Sequence, residues 1–155
     1  MIRSDKEITD PVWIDQVLHE ALYCHIAISD GNLPYLVPMN YVWYDGRIIL
    51  HSGSVGEKLR ILKKNPSIAF AVETGIEMAP ASTPCGYSMR YRSVIGQGTA
   101  GFIEDPIEKN HLLCRLAEKY TRVQVYDFSQ KNLASVVVIG ITVSGMTGKK
   151  SGYPF

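Results

Sequence analysis

Apolar residues follow one another along this chain in short runs separated by polar turns, the pattern of a protein made mainly of β-strands. Two turns, Asp30-Gly31 and Asp45-Gly46, lie between apolar runs and predict tight hairpins in an antiparallel meander. Such a meander excludes a doubly wound parallel sheet. Six strands are predicted, at residues 22–29, 35–44, 47–52, 67–73, 87–104 and 133–143. The segments between the later strands are predicted to be a loop at 74–86 and an irregular stretch at 121–132, with a tail at 144–150.

Three segments carry the signals of helices. The first begins at Asp10-Pro11 and the third at Asp105-Pro106, where a capping aspartate precedes a first-turn proline. The second follows the small residues of segment 51–56 and stops at Asn65-Pro66. Strands and helices in this order predict an α+β fold, mainly β, built as a small antiparallel barrel. Because side chains fill the interior of such a barrel, a ligand site is expected on its outside or at a subunit contact.

The composition limits the classes of function. A length of 155 residues without a linker or repeat predicts a single domain over residues 1–155. A formal net charge of +1 gives no electrostatic reason to bind nucleic acid or an acidic membrane surface. Residues 1–7 lack the apolar core of a signal peptide, no apolar run is long enough to span a membrane, and the three cysteines have no metal-like spacing. We therefore expect a cytoplasmic protein without a metal site.

The most informative segment runs from His51 to Leu59, between a predicted strand and a predicted helix. The free N–H groups and the dipole at the start of a helix favour an anion. Ser52 and Ser54 add hydroxyl donors, and Lys58 adds a full positive charge. The segment has neither the ending of a Walker loop nor a dinucleotide fingerprint. It predicts either a phosphate site with an imidazole at its edge or a polar turn in which Ser54 caps the helix.

Other polar residues lie in apolar strands, where each needs a partner. Asn40 follows Val37-Pro38-Met39, and Pro38 favours an edge or a bulge over a central position. Asn40 is either a ligand contact or an amide that satisfies the backbone. Arg92 and Ser93 precede the run 94–98, and Arg92 is either a ligand contact or half of a surface ion pair.

Taken in order, these residues resemble a known family. The segments that carry the resemblance are Tyr35-Leu36-Val37-Pro38-Met39-Asn40-Tyr41, Ile49-Leu50-His51-Ser52 with Gly56-Glu57-Lys58, Asn65-Pro66, Tyr91-Arg92-Ser93-Val94-Ile95-Gly96-Gln97-Gly98 and Glu108-Lys109. They are similar to the pyridoxamine 5′-phosphate oxidase-like FMN-binding split-barrel proteins. Within these, they are most similar to the flavin-nucleotide-binding and nitroimidazole-resistance subgroup. The resemblance extends from about residue 3 to residue 149.

The resemblance implies a six-stranded antiparallel split β-barrel with flanking helices. It also implies a homodimer with one FMN in each of two clefts at the interface. His51, Ser52 and Lys58 are implied to lie near the phosphate and the ribityl chain. The other cofactor-binding residues that it implies are Val37, Pro38, Met39, Asn40, Arg92, Ser93, Val94 and Lys149. The implied chemistry is reduction of a small molecule, such as a nitro compound, with NAD(P)H as candidate electron donor and His51 as candidate catalytic residue.

Several alternatives stay open at this point. The chain ends at Gly152-Tyr153-Pro154-Phe155 without the arginine- and histidine-bearing segment with which pyridoxamine phosphate oxidases hold their substrate, so we do not expect oxidation of vitamin B6. His51 either acts as an acid near neutral pH or only hydrogen-bonds the cofactor. The rival functions are a flavin-binding or flavin-sensing module without turnover, a haem-binding split barrel with His25 or His51 as axial ligand, and a structural dimer with an empty cleft.

Overall fold

The body of the protein is one antiparallel sheet, seen in a computed structural model that describes residues 4–153. Residues 1–3, 154 and 155 lie outside the described residues. The predictions for the N-terminal segment and for the chain end fall partly on these residues. The strands in the described part are β1 (Glu7–Ile8), β2 (Cys24–Asp30), β3 (Leu33–Met39), β4 (Tyr41–Tyr44), β5 (Arg47–Gly53), β6 (Ser67–Ala79), β7 (Ser88–Ile103) and β8 (Val136–Ser151). They run in the order β3-β2-β6-β7-β8-β5-β4, and β1 pairs with β8.

The helices of the described part are α1 (Pro11–Glu20), α2 (Glu57–Lys64), α3 (Pro106–Thr121) and α4 (Gln130–Ser135). Both predicted aspartate caps are present. The Asp10 carboxylate accepts a hydrogen bond from the Val12 N–H at 3.0 Å, and the Asp105 carboxylate accepts one from the Glu108 N–H at 2.8 Å. α4 was not predicted, and it moves the start of the last strand from residue 133 to Val136.

The predicted strand at residues 35–44 is broken at Asn40 into β3 and β4. β3 pairs with β2, whereas β4 pairs with β5, so the predicted continuous meander is wrong at this corner. β3 and β4 are the two ends of the sheet order and are joined by one residue, which requires the sheet to curl until its edges meet. The result is a mainly β, α+β split barrel, as the sequence predicts.

Two strands are longer than predicted. β6 continues to Ala79 through part of the predicted loop, with a register irregularity near Gly75, whose φ is +61°. β8 continues to Ser151 through the predicted tail. Pairing with β7 extends both strands beyond what their local sequence indicates. The described strands number eight instead of six because 35–44 divides and the short β1 was not predicted.

Buried apolar residues form two clusters, one on each face of the sheet. α1 and α2 close the barrel over a first cluster that includes Ile14, Leu18, Leu59, Leu62, Phe70, Val72, Val94 and Ile139. α3 and α4 cover the outside of β4, β5 and β8 with a second cluster that includes Val42, Ile49, Leu112, Leu116, Leu133 and Val138. β8 contributes Ile139 to the first cluster and Val138 to the second, so this part of the strand is covered on both sides.

Candidate functional site

The turn between β5 and α2 leaves the start of the helix open. Gly56, the residue before the helix, has a φ of +147°, which residues other than glycine rarely adopt. No side chain caps the start of α2. Ser54, the predicted alternative cap, is exposed and does not perform this role. The first N–H groups of α2 therefore remain available to an anion, and the helix dipole adds a partial positive charge there.

Lys58 strengthens this turn as an anion site. Its side chain is half-buried, and within residues 4–153 it makes no ion pair, whereas the nearby Arg60 is bound by both Asp30 and Glu57. Burial removes part of the hydration of a charge. An anion that binds next to a half-buried, unpaired cation therefore stabilises it.

His51 lies at the edge of this turn on β5. Its ring is half-buried, and its Nδ1 atom has no hydrogen-bond partner. Burial, and to a smaller extent the charge of Lys58, lower the pKa of His51 below its ordinary value of 6.5. The ring is therefore neutral at pH 7, and one of its nitrogens lacks the partner that buried polar atoms normally have.

Ser52 and His51 point to opposite faces of β5, because successive side chains of a strand alternate. Ile49 packs against α3 and Leu50 packs inside the barrel, so His51 faces α3 and Ser52 faces the barrel interior. Ser52 is 6 % exposed. The side chains of His51 and Ser52 therefore do not share a surface, and only the backbone of Ser52 lies beside the ring of His51.

The corner at Asn40 lies next to His51. The register Tyr41↔Leu50 between β4 and β5 puts Asn40 opposite His51 at the next position, and the Asn40 side chain is exposed. Pro38 is also exposed on this outer face, whereas Val37 and Met39 pack against the core. A ligand on the outer face can therefore contact the backbone of Val37 and Met39 but not their side chains.

A second group of predicted residues lies on β7 and β8. Ser93 pairs with Lys149, and both line a cavity of about 380 Å³ with apolar neighbours. Val94 is fully buried inside the barrel. The guanidinium of Arg92 contacts the Glu20 carboxylate at 2.7 Å, which is the surface ion pair of the alternative interpretation.

The structure does not bring these two groups together within one chain. Asn40, His51 and Lys58 belong to the first group, and Ser93 and Lys149 to the second. β3 and β7 are separated by β2 and β6. Three strand spacings of about 4.8 Å each make roughly 14 Å across the sheet. Ser93 is therefore out of reach of the Asn40 side chain. His51 and Lys149 are on the paired strands β5 and β8, but His51 pairs with Val138, and at about 3.3 Å per residue Lys149 lies roughly 36 Å further along β8.

The uncovered outer face of the sheet lies between the two groups. It carries apolar side chains that are 42–65 % exposed, namely Leu36, Ile76, Met78, Met89 and Ile95. A patch of this kind on a sheet face marks a surface for contact with another molecule.

Lys119 on α3 was not predicted from the sequence. Its Nζ atom is buried without a hydrogen bond and lies 3.6 Å from the centre of the Tyr41 ring. Burial lowers the pKa of Lys119 to about 8. The neighbouring Tyr120 hydroxyl accepts a hydrogen bond from the Tyr41 N–H at 2.8 Å and donates one to the Leu22 carbonyl at 2.6 Å. This end of α3 thereby fills the gap between β2 and β4, and no local pattern signals it, because a lysine on a helix ordinarily faces solvent.

Other site types find no support in the described residues. Within residues 4–153 no three His, Cys, Asp or Glu side chains are grouped closely enough to hold a metal ion. No helix in the same part of the chain has the length and apolar character needed to span a membrane. His25 lies 3.5 Å from the Glu73 carboxylate and packs edge-on against the Tyr23 ring. Its ring therefore already has partners on the surface of the sheet.

The chain resembles known proteins over most of its length. The sequence profile of the pyridoxamine 5′-phosphate oxidase family matches residues 12–150. A candidate 5-nitroimidazole antibiotic resistance protein from Bacteroides thetaiotaomicron is 33% identical, and the match covers 93% of this chain and 86% of that one with a TM-score of 0.82.

Two more distant solved structures share the fold. An FAD- and haem-binding protein from Mycobacterium smegmatis is 20% identical, with coverage of 97% of this chain and 76% of that one and a TM-score of 0.84. A flavocytochrome from Azotobacter vinelandii is 18% identical, with coverage of 96% and 70% and a TM-score of 0.80. A comparison with curated protein sequences gives no match.

Proposed function

The chain belongs to the pyridoxamine 5′-phosphate oxidase family, and on that basis we propose that it is an FMN-binding oxidoreductase that acts on a small molecule. Flavin binding has further support from the names of the flavocytochrome and of the FAD- and haem-binding protein, which share the fold. Nitro-group reduction has support from the name of the candidate 5-nitroimidazole resistance protein. We propose NAD(P)H as the electron donor and the cytoplasm as the location.

The turn before α2 carries this proposal. It combines an uncapped helix start with Lys58, a half-buried cation that makes no ion pair within residues 4–153. A terminal phosphate fits such a site, because it accepts hydrogen bonds from backbone N–H groups and neutralises the lysine. The corner at Pro38 and Asn40 offers an exposed surface beside the turn for the flavin ring.

A homodimer would unite the two groups of predicted residues. In one chain, Ser93 lies roughly 14 Å and Lys149 roughly 19 Å across the sheet from Asn40, at about 4.8 Å per strand spacing. The apolar outer face between the groups is suited to pairing with a second copy, and a two-fold axis would bring the second group of one chain near the first group of the other. Each of two equivalent clefts would then receive residues from both chains.

The roles of protein and cofactor divide in this proposal. FMN, when bound, supplies the transfer of electrons between donor and acceptor. The turn with Lys58 supplies affinity for the phosphate, and the corner at Asn40 orients the ring. His51, a neutral imidazole beside both, hydrogen-bonds the cofactor.

Flavin fluorescence titrations test the phosphate site. We expect FMN to bind more tightly than FAD, because the turn has room for one terminal phosphate. Lys58→Ala should weaken FMN about tenfold to a hundredfold, the usual effect of losing a charge-assisted phosphate contact, and should leave riboflavin almost unchanged. Lys64→Ala, which removes the same charge at the far end of α2, is the matched control. Equal affinity for riboflavin, FMN and FAD would refute the phosphate site.

A haem protein is the second candidate, and it depends on His51. The ring of His51 is neutral, which is the form that binds haem iron, and it borders an apolar cavity. His25 is the weaker axial ligand because it is engaged with Glu73. The absorption spectrum of the purified protein separates the candidates, since FMN gives a yellow protein and haem gives a Soret band. Flavin-loaded protein that does not oxidise NAD(P)H with any nitro compound or quinone would indicate a flavin-binding module without turnover.

A further inference from the structure

An apolar cavity of about 330 Å³ lies on the side of His51 that faces α3 and α4, open to solvent at one side. Its walls come from Leu113, Leu116 and Ala117 on α3 and from Phe128 before α4. We propose that this cavity binds a small uncharged aromatic molecule with one polar substituent, and that this molecule is the electron acceptor. The identity as acceptor rests on the proposed function, whereas the binding site itself does not.

The size and lining of the cavity define the ligand class. A volume of about 330 Å³ is at the lower end of the range of small-molecule sites, about 300–1,000 Å³, which suits one substituted ring and excludes a whole flavin nucleotide. None of the residues that line it is Asp, Glu, Lys or Arg. A charged ligand would therefore lose its hydration there without gaining a partner.

Two side chains at the edge of the cavity can receive the polar substituent. The imidazole ring of His51 lines the cavity, and within the described residues neither of its nitrogens makes a hydrogen bond. The side-chain amide of Asn132 also lines the cavity and makes no hydrogen bond within the described residues. A nitro group or a carbonyl accepts from the amide and from an imidazole N–H, which matches this pair.

The position of His51 connects the cavity with the proposed cofactor site. Lys58 is near enough to affect the pKa of the ring, and the cavity lies against the same ring. A phosphate-anchored cofactor and a molecule in the cavity would therefore both approach one imidazole.

Titration of the full chain with nitrobenzene, with and without FMN, tests the site by NMR. We expect saturable binding that shifts the imidazole resonances of His51 in the FMN-free protein. Ala117→Leu fills the cavity from α3 and should weaken binding at least tenfold. Ala134→Leu makes the same change at an exposed position of α4 that does not line the cavity, and it should have no effect. Asn132→Leu, which removes the amide at the edge, should weaken binding severalfold.

Each outcome decides the proposal. Equal binding by the Ala117→Leu and Ala134→Leu variants, or no saturable binding up to the solubility of the probe, would overturn it. Binding that depends on Ala117 in a protein that fails to bind FMN would keep the cavity site and refute the proposed flavin function. If Ala117→Leu does not fold, the titration of Asn132→Leu decides the matter: binding that is severalfold weaker than in the wild type supports the site, and unchanged binding overturns it.

Discussion

Replacing Lys119 with methionine should stabilise the protein at pH 7. The amine is buried over the Tyr41 ring without a hydrogen bond, and burial lowers the pKa of Lys119 from 10.5 to about 8. At about 1.36 kcal/mol for each pKa unit, this difference corresponds to about 3.4 kcal/mol against the folded state. Because the side chain is partly exposed, solvent screening reduces the cost to roughly 1–2 kcal/mol. Methionine keeps most of the apolar stem and carries no charge.

Some of that gain is offset by the lost contact between the cation and the ring, which is worth about 0.5–1 kcal/mol. The net stabilisation of Lys119→Met at pH 7 should therefore be near 1 kcal/mol, a rise in Tm of about 2–4 °C for a domain of this size. The pH dependence has a definite sign. Folding lowers the pKa of Lys119, so its destabilisation is fully present below about pH 8 and disappears as the pH rises towards 10.5, where the unfolded chain also loses the proton.

Urea unfolding of both proteins between pH 7 and pH 10 measures this difference. The advantage of the variant should shrink across that interval, while Lys131→Met, at an exposed position of α4, should stay within about 0.5 kcal/mol of the wild type throughout. An Lys119→Met protein that is less stable than the wild type at pH 7, or a difference that does not change with pH, would refute the reasoning that the buried amine is a net cost.

Three further predictions concern the site and the sheet. His51→Gln should weaken FMN binding while saturating FMN restores NAD(P)H-dependent reduction of a nitroaromatic; retained FMN with lost turnover would instead assign an acid role. Gly96→Ala should cost about 1–3 kcal/mol in urea unfolding, because its new methyl group overlaps the Phe70 ring, whereas Gly145→Ala meets open space and serves as the control. Light scattering should show a dimer whose formation is coupled to flavin binding, and a stable monomer fully occupied by FMN would contradict the shared cleft.

Features fixed by neighbouring residues could be predicted from the sequence. The aspartate caps of α1 and α3 and the Asp45-Gly46 hairpin depend on a few consecutive residues. Asp45 and Gly46 adopt the positive φ values, +50° and +68°, that a tight hairpin requires. The corner at Asn40 could not be predicted in this way. It exists because β3 pairs with β2 whereas β4 pairs with β5. Such pairing depends on contacts throughout the sheet and not on the residues next to Asn40.

The candidate site follows the same division. His51 and Lys58 were predicted because a strand, a small-residue turn and a helix start are a local pattern. Arg92 is engaged with Glu20, which lies 72 residues earlier in the chain, so no short pattern could distinguish an ion pair from a ligand contact. The opposite directions of the His51 and Ser52 side chains follow from strand alternation, whereas the family resemblance implies only that both residues lie near the phosphate and the ribityl chain.

The position of β8 has a consequence for how the protein is made. This strand is the last along the described residues, yet it lies between β7 and β5 and also pairs with β1. Until β8 leaves the ribosome, β5 and β7 each expose an unpaired edge, and the apolar residues that β8 covers remain in water. Until then the sheet of the nascent chain is in two parts, and it is completed by inserting one strand between them. This vulnerable interval is when a chaperone would protect the chain from aggregation.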